Sequence, residues 1–145
     1  MNQTNQQSVP AWFRIVGILA FVWNLMGVAA YLAQVRMTEA DFAALPEAQR
    51  LLYETTPAWA TAAFATAVFA GALGCLLLIL RKSLAAPVLI VSLLAVLVQM
   101  FHAFFMSKSF EVFGPGSTIM PLMVIVIAVA LVWLANKGKK YNWLS

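Results

Sequence analysis

Four stretches of the chain are continuously apolar, and polar residues gather between them. The stretches are Trp12–Leu32, Ala58–Leu80, Leu84–Met106 and Ile119–Ala135. Each is near the ~20 residues a helix needs to cross a bilayer, the fourth being the shortest. None alternates with period two, so the pattern predicts helices and not barrel strands. Ser117 or Thr118 is placed to cap the fourth helix. The segment between the first two stretches has a different pattern. Thr38-Glu39-Ala40-Asp41 reads as a helix start with acids in its first turn. Pro46 suits the first turn of a second short helix. Phe42, Leu45, Ala48 and Leu52 recur at helical spacing, predicting one or two amphipathic helices on the membrane surface. They form either a passive connector or a lid.

Composition agrees. Of 145 residues, 63% are hydrophobic and 10% charged, against ~45–50% and ~25% in soluble domains. A soluble fold of this size leaves too much surface wet to hide that apolar share. The sequence therefore predicts an all-α integral membrane four-helix bundle forming a single domain. Residues 1–10 read as a flexible, polar N-terminus and 136–145 as a basic cytoplasmic tail. Met1–Ala11 carries no basic side chain, and the apolar run after it is longer than a signal peptide's core, so no cleavage is expected.

Charge sets the expected orientation. Arg14, Arg81, Lys82, Lys137, Lys139 and Lys140 fall on one side of a four-span chain. The other side holds Arg36, Arg50 and Lys108 with every acid: Glu39, Asp41, Glu47, Glu54 and Glu111. The positive-inside rule then predicts both termini in the cytoplasm. The net charge of +4 is a matter of topology on this reading, and no nucleic-acid partner is expected.

The chemistry-bearing residues are few. There is one cysteine, Cys75, and one histidine, His102. No zinc set or cysteine-ligated cluster is available, so no metal and no cofactor are expected. No span contains Asp or Glu, which argues against cation-coupled exchange. No nucleotide-binding or hydrolase motif is present, and an enzyme is not expected. Cys75 belongs to a ridge of small residues with Ala63, Ala67 and Gly71, beside a second ridge of Ala58, Ala62, Thr66, Ala70 and Gly74. Such ridges allow close helix packing, so this helix should be central and Cys75 a packing residue.

Ser92, Ala95, Gln99, His102 and Met106 share one face of the third long helix. At 1.5 Å per residue, Gln99 lies about 10 Å below the outer end of its helix, Asn24 and Thr66 about 12 Å, and His102 about 6 Å. Asn24, Thr66, Gln99 and His102 are thus the candidate ligand-binding residues of a polar pocket opening outward. The alternative is that they only bond across the bundle. The second outer loop carries Gly114-Pro115-Gly116, a turn signal, and a Lys108–Glu111 pair. Aromatic residues, Phe110 and Phe113 among them, crowd that end.

Trp23-Asn24-Leu25-Met26-Gly27, Leu45-Pro46-Glu47-Ala48-Gln49, Thr56-Pro57-Ala58-Trp59 and Gly114-Pro115-Gly116 are similar to a family of small bacterial four-helix inner-membrane proteins. Some of its members carry the label "sugar transporter". A more distant similarity to DoxX-like four-helix proteins rests on architecture. The resemblance implies a bacterial inner-membrane bundle that binds or transports a small molecule, with no family site residues to carry over. The expected partners are the lipid bilayer, a small-molecule ligand and a homo-oligomer or larger membrane complex. In the competing functional reading, the chain is an accessory or assembly subunit with no ligand of its own.

Overall fold

The computed structural model describes residues 9–106 and 119–145. The expected cap at Ser117 or Thr118, the Gly114–Gly116 turn, the Lys108–Glu111 pair, Phe110 and Phe113, and the flexibility of residues 1–8 lie outside the described residues. Among the described residues every regular element is helical: α1 (Ala11–Val35), α2 (Glu39–Ala43), α3 (Glu47–Thr55), α4 (Ala58–Ile79), α5 (Ala85–Phe101) and α6 (Ile119–Lys140). A π-helical turn, His102–Met106, extends α5. Four of these segments are long and apolar enough to cross a membrane. All four lie where the apolar pattern places them.

Local chemistry sets the helix ends. Proline precedes α1, α3 and α4, at Pro10, Pro46 and Pro57, each with extended ψ. Its fixed φ and missing N–H are harmless there, and its carbonyl takes the first backbone bonds. The Pro57 carbonyl accepts from Ala60 at 3.1 Å and from Thr61 at 3.3 Å. Thr38 caps α2, its hydroxyl accepting from the Asp41 N–H at 3.1 Å. Of the one or two short helices predicted between the first two long ones, two are therefore present. Pro46 stands one residue before its helix and not within the first turn.

The long helices run up and down in turn. Gly27 faces Val68, Asn24 faces Gly71 and Gly17 faces Ile79, so α1 and α4 are antiparallel. Gly71 meets Ser92 and Gly74 meets Leu89, so α4 and α5 are antiparallel too. The main interfaces are α1 with α4, α4 with α5, and α5 with α6. This places α4 between α1 and α5, as its small residues predict. Ala63, Ala67, Gly71 and Cys75 are all buried. The second ridge is not: Ala58, Ala62 and Thr66 are exposed and only Gly74 is buried. Helices α1 and α6 make no comparable backbone approach, so the bundle has an unsealed seam between them.

The tail departs from expectation. The fourth helix continues past Ala135 to Lys140, and the chain then turns under the bundle. Trp143 and Leu144 are only 7% and 6% exposed. A basic side chain tolerates the helix end because it follows the last apolar turn, where its charge also favours the helix dipole. Two helix stops clasp each other there. After α4, Lys82 N–H bonds the Leu77 carbonyl at 2.8 Å and Arg81 N–H the Leu78 carbonyl at 3.1 Å. After α6, Trp143 N–H bonds the Gly138 carbonyl at 2.8 Å and Asn142 N–H the Lys139 carbonyl at 3.3 Å. Both are Schellman stops, which require a left-handed residue, supplied by Arg81 at φ 62° and Asn142 at φ 58°. Arg81 Nε donates to the Trp143 carbonyl at 3.2 Å, and Ser145 N–H to the Arg81 carbonyl at 2.9 Å. These cross-bonds hold Arg81 in a conformation that a side chain with a Cβ otherwise avoids.

Packing is correspondingly uneven. The larger core cluster joins Phe13, Cys75, Leu78, Leu89, Leu134 and Trp143 near the tail. A smaller one, Ala67, Ala95, Val96 and Met100, lies toward the other end. One end of the bundle is therefore closed by side chains, and the end carrying α2 and α3 is not.

Candidate functional site

A cavity of about 420 Å³ reaches into the bundle and opens to its surface beside Met26, which is 62% exposed. All four long helices line it. Its wall is largely apolar, with Trp23, Phe64, Leu89, Met100 and Val124 among the lining residues, and Asn24, Ser92 and Gln99 as its polar positions. The volume falls within the ~300–1,000 Å³ of small-molecule pockets.

Asn24 is held rather than free. Its Nδ2 donates to the Ala20 carbonyl one turn back at 2.9 Å and to Cys75 Sγ at 3.5 Å. Both donor bonds point the same way, so the side chain's carbonyl end faces Gly71 and Ser92. Gly71 is what allows this, because a Cβ there would occupy the position of Asn24 Oδ1. Ser92 is buried and its hydroxyl donates across the α4–α5 interface to the Ala67 carbonyl at 2.7 Å. Interhelical bonds of this kind contribute about 0.6 kcal/mol on average in membrane proteins. Ser92→Ala is therefore expected to lower stability by less than about 1 kcal/mol, measured as a small shift in the melting temperature. A shift of several degrees would show that Ser92 does more than bridge two helices.

Gln99 joins two hollows. It lines the internal cavity and also a second hollow of about 300 Å³ nearer α3. That second hollow is lined by Gln34, Gln49, Tyr53, Thr56 and Thr61 as well as His102. His102 stands at the start of the π-helical turn, its ring edge-on to Trp59 at 5.5 Å. A π-helical turn re-aims side chains relative to the helix below it and is frequent at functional sites. The two hollows differ in polarity. The one under α3 is rich in amides and hydroxyls, while the inner one is mostly hydrocarbon.

The structure thus brings together three of the four candidate residues. Asn24 and Gln99 share the inner cavity, and Gln99 and His102 share the outer hollow. Thr66 is a correction. It is exposed on the outside of α4, and its hydroxyl donates to its own helix at the Ala62 carbonyl, 2.9 Å away. Depth along a helix places a residue at a level but not on a side, and α4 turns the Ala63–Cys75 ridge inward instead. Ser92 joins the cavity wall instead, and Cys75, which does not line it, holds Asn24 from behind. Ser92 lay on the polar stripe of α5. Cys75 carried no signal beyond small size, because its role as an acceptor depends on Asn24 arriving from another helix. No group of three or more His, Cys, Asp or Glu side chains able to hold a metal is present among the described residues.

Among the described residues the fold and site define an all-helical arrangement, with four helices of membrane-crossing length and apolarity around a cavity that opens to the bundle surface. Compared with protein-family models, curated proteins and solved structures, the chain matches none of them. The resemblance drawn from Trp23–Gly27 and the other matching stretches is neither supported nor opposed by this.

Proposed function

We propose that the chain is a multi-pass protein of a bacterial inner membrane that binds a small amphipathic molecule within its helical bundle. Both termini lie on the cytoplasmic side, following the distribution of basic residues. The carrying observation is the internal cavity with Asn24 and Gln99 in its wall and the more polar hollow above it. The ligand enters from the end bearing α2 and α3, since packing closes the other. Helix α3 acts as the lid, with Gln49 and Tyr53 over the entrance.

The wall's chemistry narrows the ligand. A sugar presents hydroxyl groups on every face, and each one buried without a partner costs about 1–3 kcal/mol in protein settings. A wall with three polar side chains, two of them already donating to backbone carbonyls, cannot satisfy them. A mostly apolar molecule with one or two hydrogen-bonding groups fits better, with the amide of Gln99 and the carbonyl of Asn24 as its partners. This favours binding of an amphipathic ligand over carriage of a sugar.

The test is a thermal-stability screen of the detergent-purified protein against sugars, amino acids, quinones and single-chain lipids. A ligand that binds only the folded state raises the melting temperature, by about 2.7 kcal/mol of stability at a hundred times its Kd. A shift is expected with an amphipathic class. It should be lost in Asn24→Ala and Gln99→Ala and kept in Thr66→Ala. A shift with sugars alone would overturn the ligand class. No shift with any class, together with co-purification of a larger membrane partner, would favour the accessory-subunit reading.

A further inference from the structure

Two more hollows meet at Trp133, and the first of them shares Trp23, Ile127 and Leu131 with the wall of the larger cavity. The first is an apolar cleft of about 450 Å³ in the seam between α1 and α6, walled by Trp12, Val16, Leu19, Ile127, Ala130 and Trp133 among others. The second, of about 350 Å³, lies at the C-terminal end of α6 and is lined by Trp133, Asn136, Lys137, Lys140 and Tyr141. An apolar cleft and a basic hollow therefore border the same residue, Trp133.

Lys137 marks the junction. Its Nζ lies 4.8 Å from the ring centre of Trp133, 5.3 Å from that of Trp12 and 5.9 Å from that of Tyr141. Trp12 comes from α1 and the other two rings from one turn either side on the α6 segment. The Lys140 Nζ lies 5.8 Å from the same Tyr141 ring. Aromatic faces attract an ammonium and fix its position, but they leave its charge and its N–H donors available. Among the described residues no carboxylate pairs with either lysine. The acids Glu39, Asp41, Glu47 and Glu54 belong to α2 and α3, at the other end of the bundle. Two adjacent positive charges at a membrane surface, without a carboxylate side chain paired to them among the described residues, call for an anion from outside.

We propose that this composite site holds one anionic phospholipid, its phosphate between Lys137 and Lys140 and one acyl chain along the α1–α6 cleft. Basic pockets between membrane helices on the cytoplasmic side recognise such headgroups. Charge complementarity sets the head, and continuity at Trp133 sets the chain. The lipid seals the seam that α1 and α6 leave unpacked, so it serves as a structural cofactor of the bundle. The proposal rests on the helices crossing a bilayer; its headgroup site at Lys137 and Lys140 shares no residue with the larger cavity, while its chain cleft borders that cavity at Trp23, Ile127 and Leu131.

The test uses the full chain in a neutral maltoside detergent, with phosphatidylglycerol and phosphatidylcholine of identical chains in competition. Retained lipid is read by native mass spectrometry on folded protein. Preferential retention of phosphatidylglycerol is expected. The double variant Lys137→Gln/Lys140→Gln should lose that preference by about thirtyfold, at the usual contribution of a basic side chain near an anionic surface. Lys139→Gln, outside the hollow, should keep it. Ala130→Trp should fill the cleft and reduce retention of both lipids. Soluble glycerol phosphate should not compete. Equal retention of the two lipids overturns the proposal. So does loss of preference in Lys139→Gln equal to that of the double variant, which would mean diffuse attraction to a basic end. Competition by glycerol phosphate overturns the acyl-chain half, leaving a phosphate site alone. Phosphatidylcholine bound in the same spectrum shows that the lysine variants are folded, and a charge-state distribution like that of the unaltered protein shows it for Ala130→Trp.

Discussion

Replacing Trp143 by alanine is expected to destabilise the bundle by about 3–5 kcal/mol, the usual cost of deleting a buried aromatic ring. The ring is 7% exposed. It stands edge-on to Phe13 at 5.1 Å and to Trp12 at 5.7 Å, and it stacks on Tyr141 at 5.3 Å. Aromatic pairs add about 0.5–1.5 kcal/mol each beyond area. Most side chains of a membrane bundle gain little from leaving lipid, because tails are as apolar as their neighbours. Trp143 differs, since it lies past the end of α6, where its alternative environment is headgroups and water. The transfer term therefore applies to it. Its loss also removes the cover from Phe13, which is 2% exposed, and loosens the Arg81–Trp143 clasp. Unfolding followed by circular dichroism in detergent measures the loss. A change below 1 kcal/mol would mean that the tail rests on the bundle without closing it.

Gly71→Ala is expected to abolish ligand stabilisation and to lower stability at the same time. The new Cβ would collide with Asn24 Oδ1 and sit 2.9 Å from Asn24 Cγ and 3.2 Å from Ser92 Oγ. Asn24 must then leave the position set by its bonds to Ala20 and Cys75. Overpacking costs about 1–3 kcal/mol, while alanine gains up to about 1 kcal/mol over glycine in a helix. The collision wins, with a net loss of up to about 2 kcal/mol once the full helix gain is subtracted. The control is Gly17→Ala on α1, whose added Cβ would meet Ile79 Cγ1 at an ordinary 3.7 Å. There the propensity gain is unopposed, so a neutral or slightly raised melting temperature is expected. If Gly71→Ala behaves like Gly17→Ala, Asn24 is not held where the structure places it, and the site loses its polar anchor.

The residues differ in how far each could be read along the chain. The ridge Ala63–Ala67–Gly71–Cys75 showed that α4 is a packing surface, and it is. The adjacent ridge through Thr66 looked equivalent, because a helix net records spacing and not which neighbour arrives on which side. Gln99 and His102 followed from one stripe on α5, since apolar residues fill the opposite face. Asn24 followed from the cost of an amide among apolar residues. Its actual partners, Cys75 and Gly71, are some fifty residues away in sequence, and no local pattern encodes that pairing.

Along the chain itself, apolar run length determined the four long helices, and Thr38, Pro46 and Pro57 determined the starts of the helices that follow them. Those are decisions made within a few residues, by hydration of side chains and by the φ limits of proline. The tertiary structure alone decided three things: that Thr66 faces outward, that Trp143 closes one end, and that α1 and α6 leave a seam with Lys137 at its mouth. Each depends on which faces of distant helices meet. That choice is made by the summed fit of many small contacts, to which no single residue's neighbours in sequence are a guide.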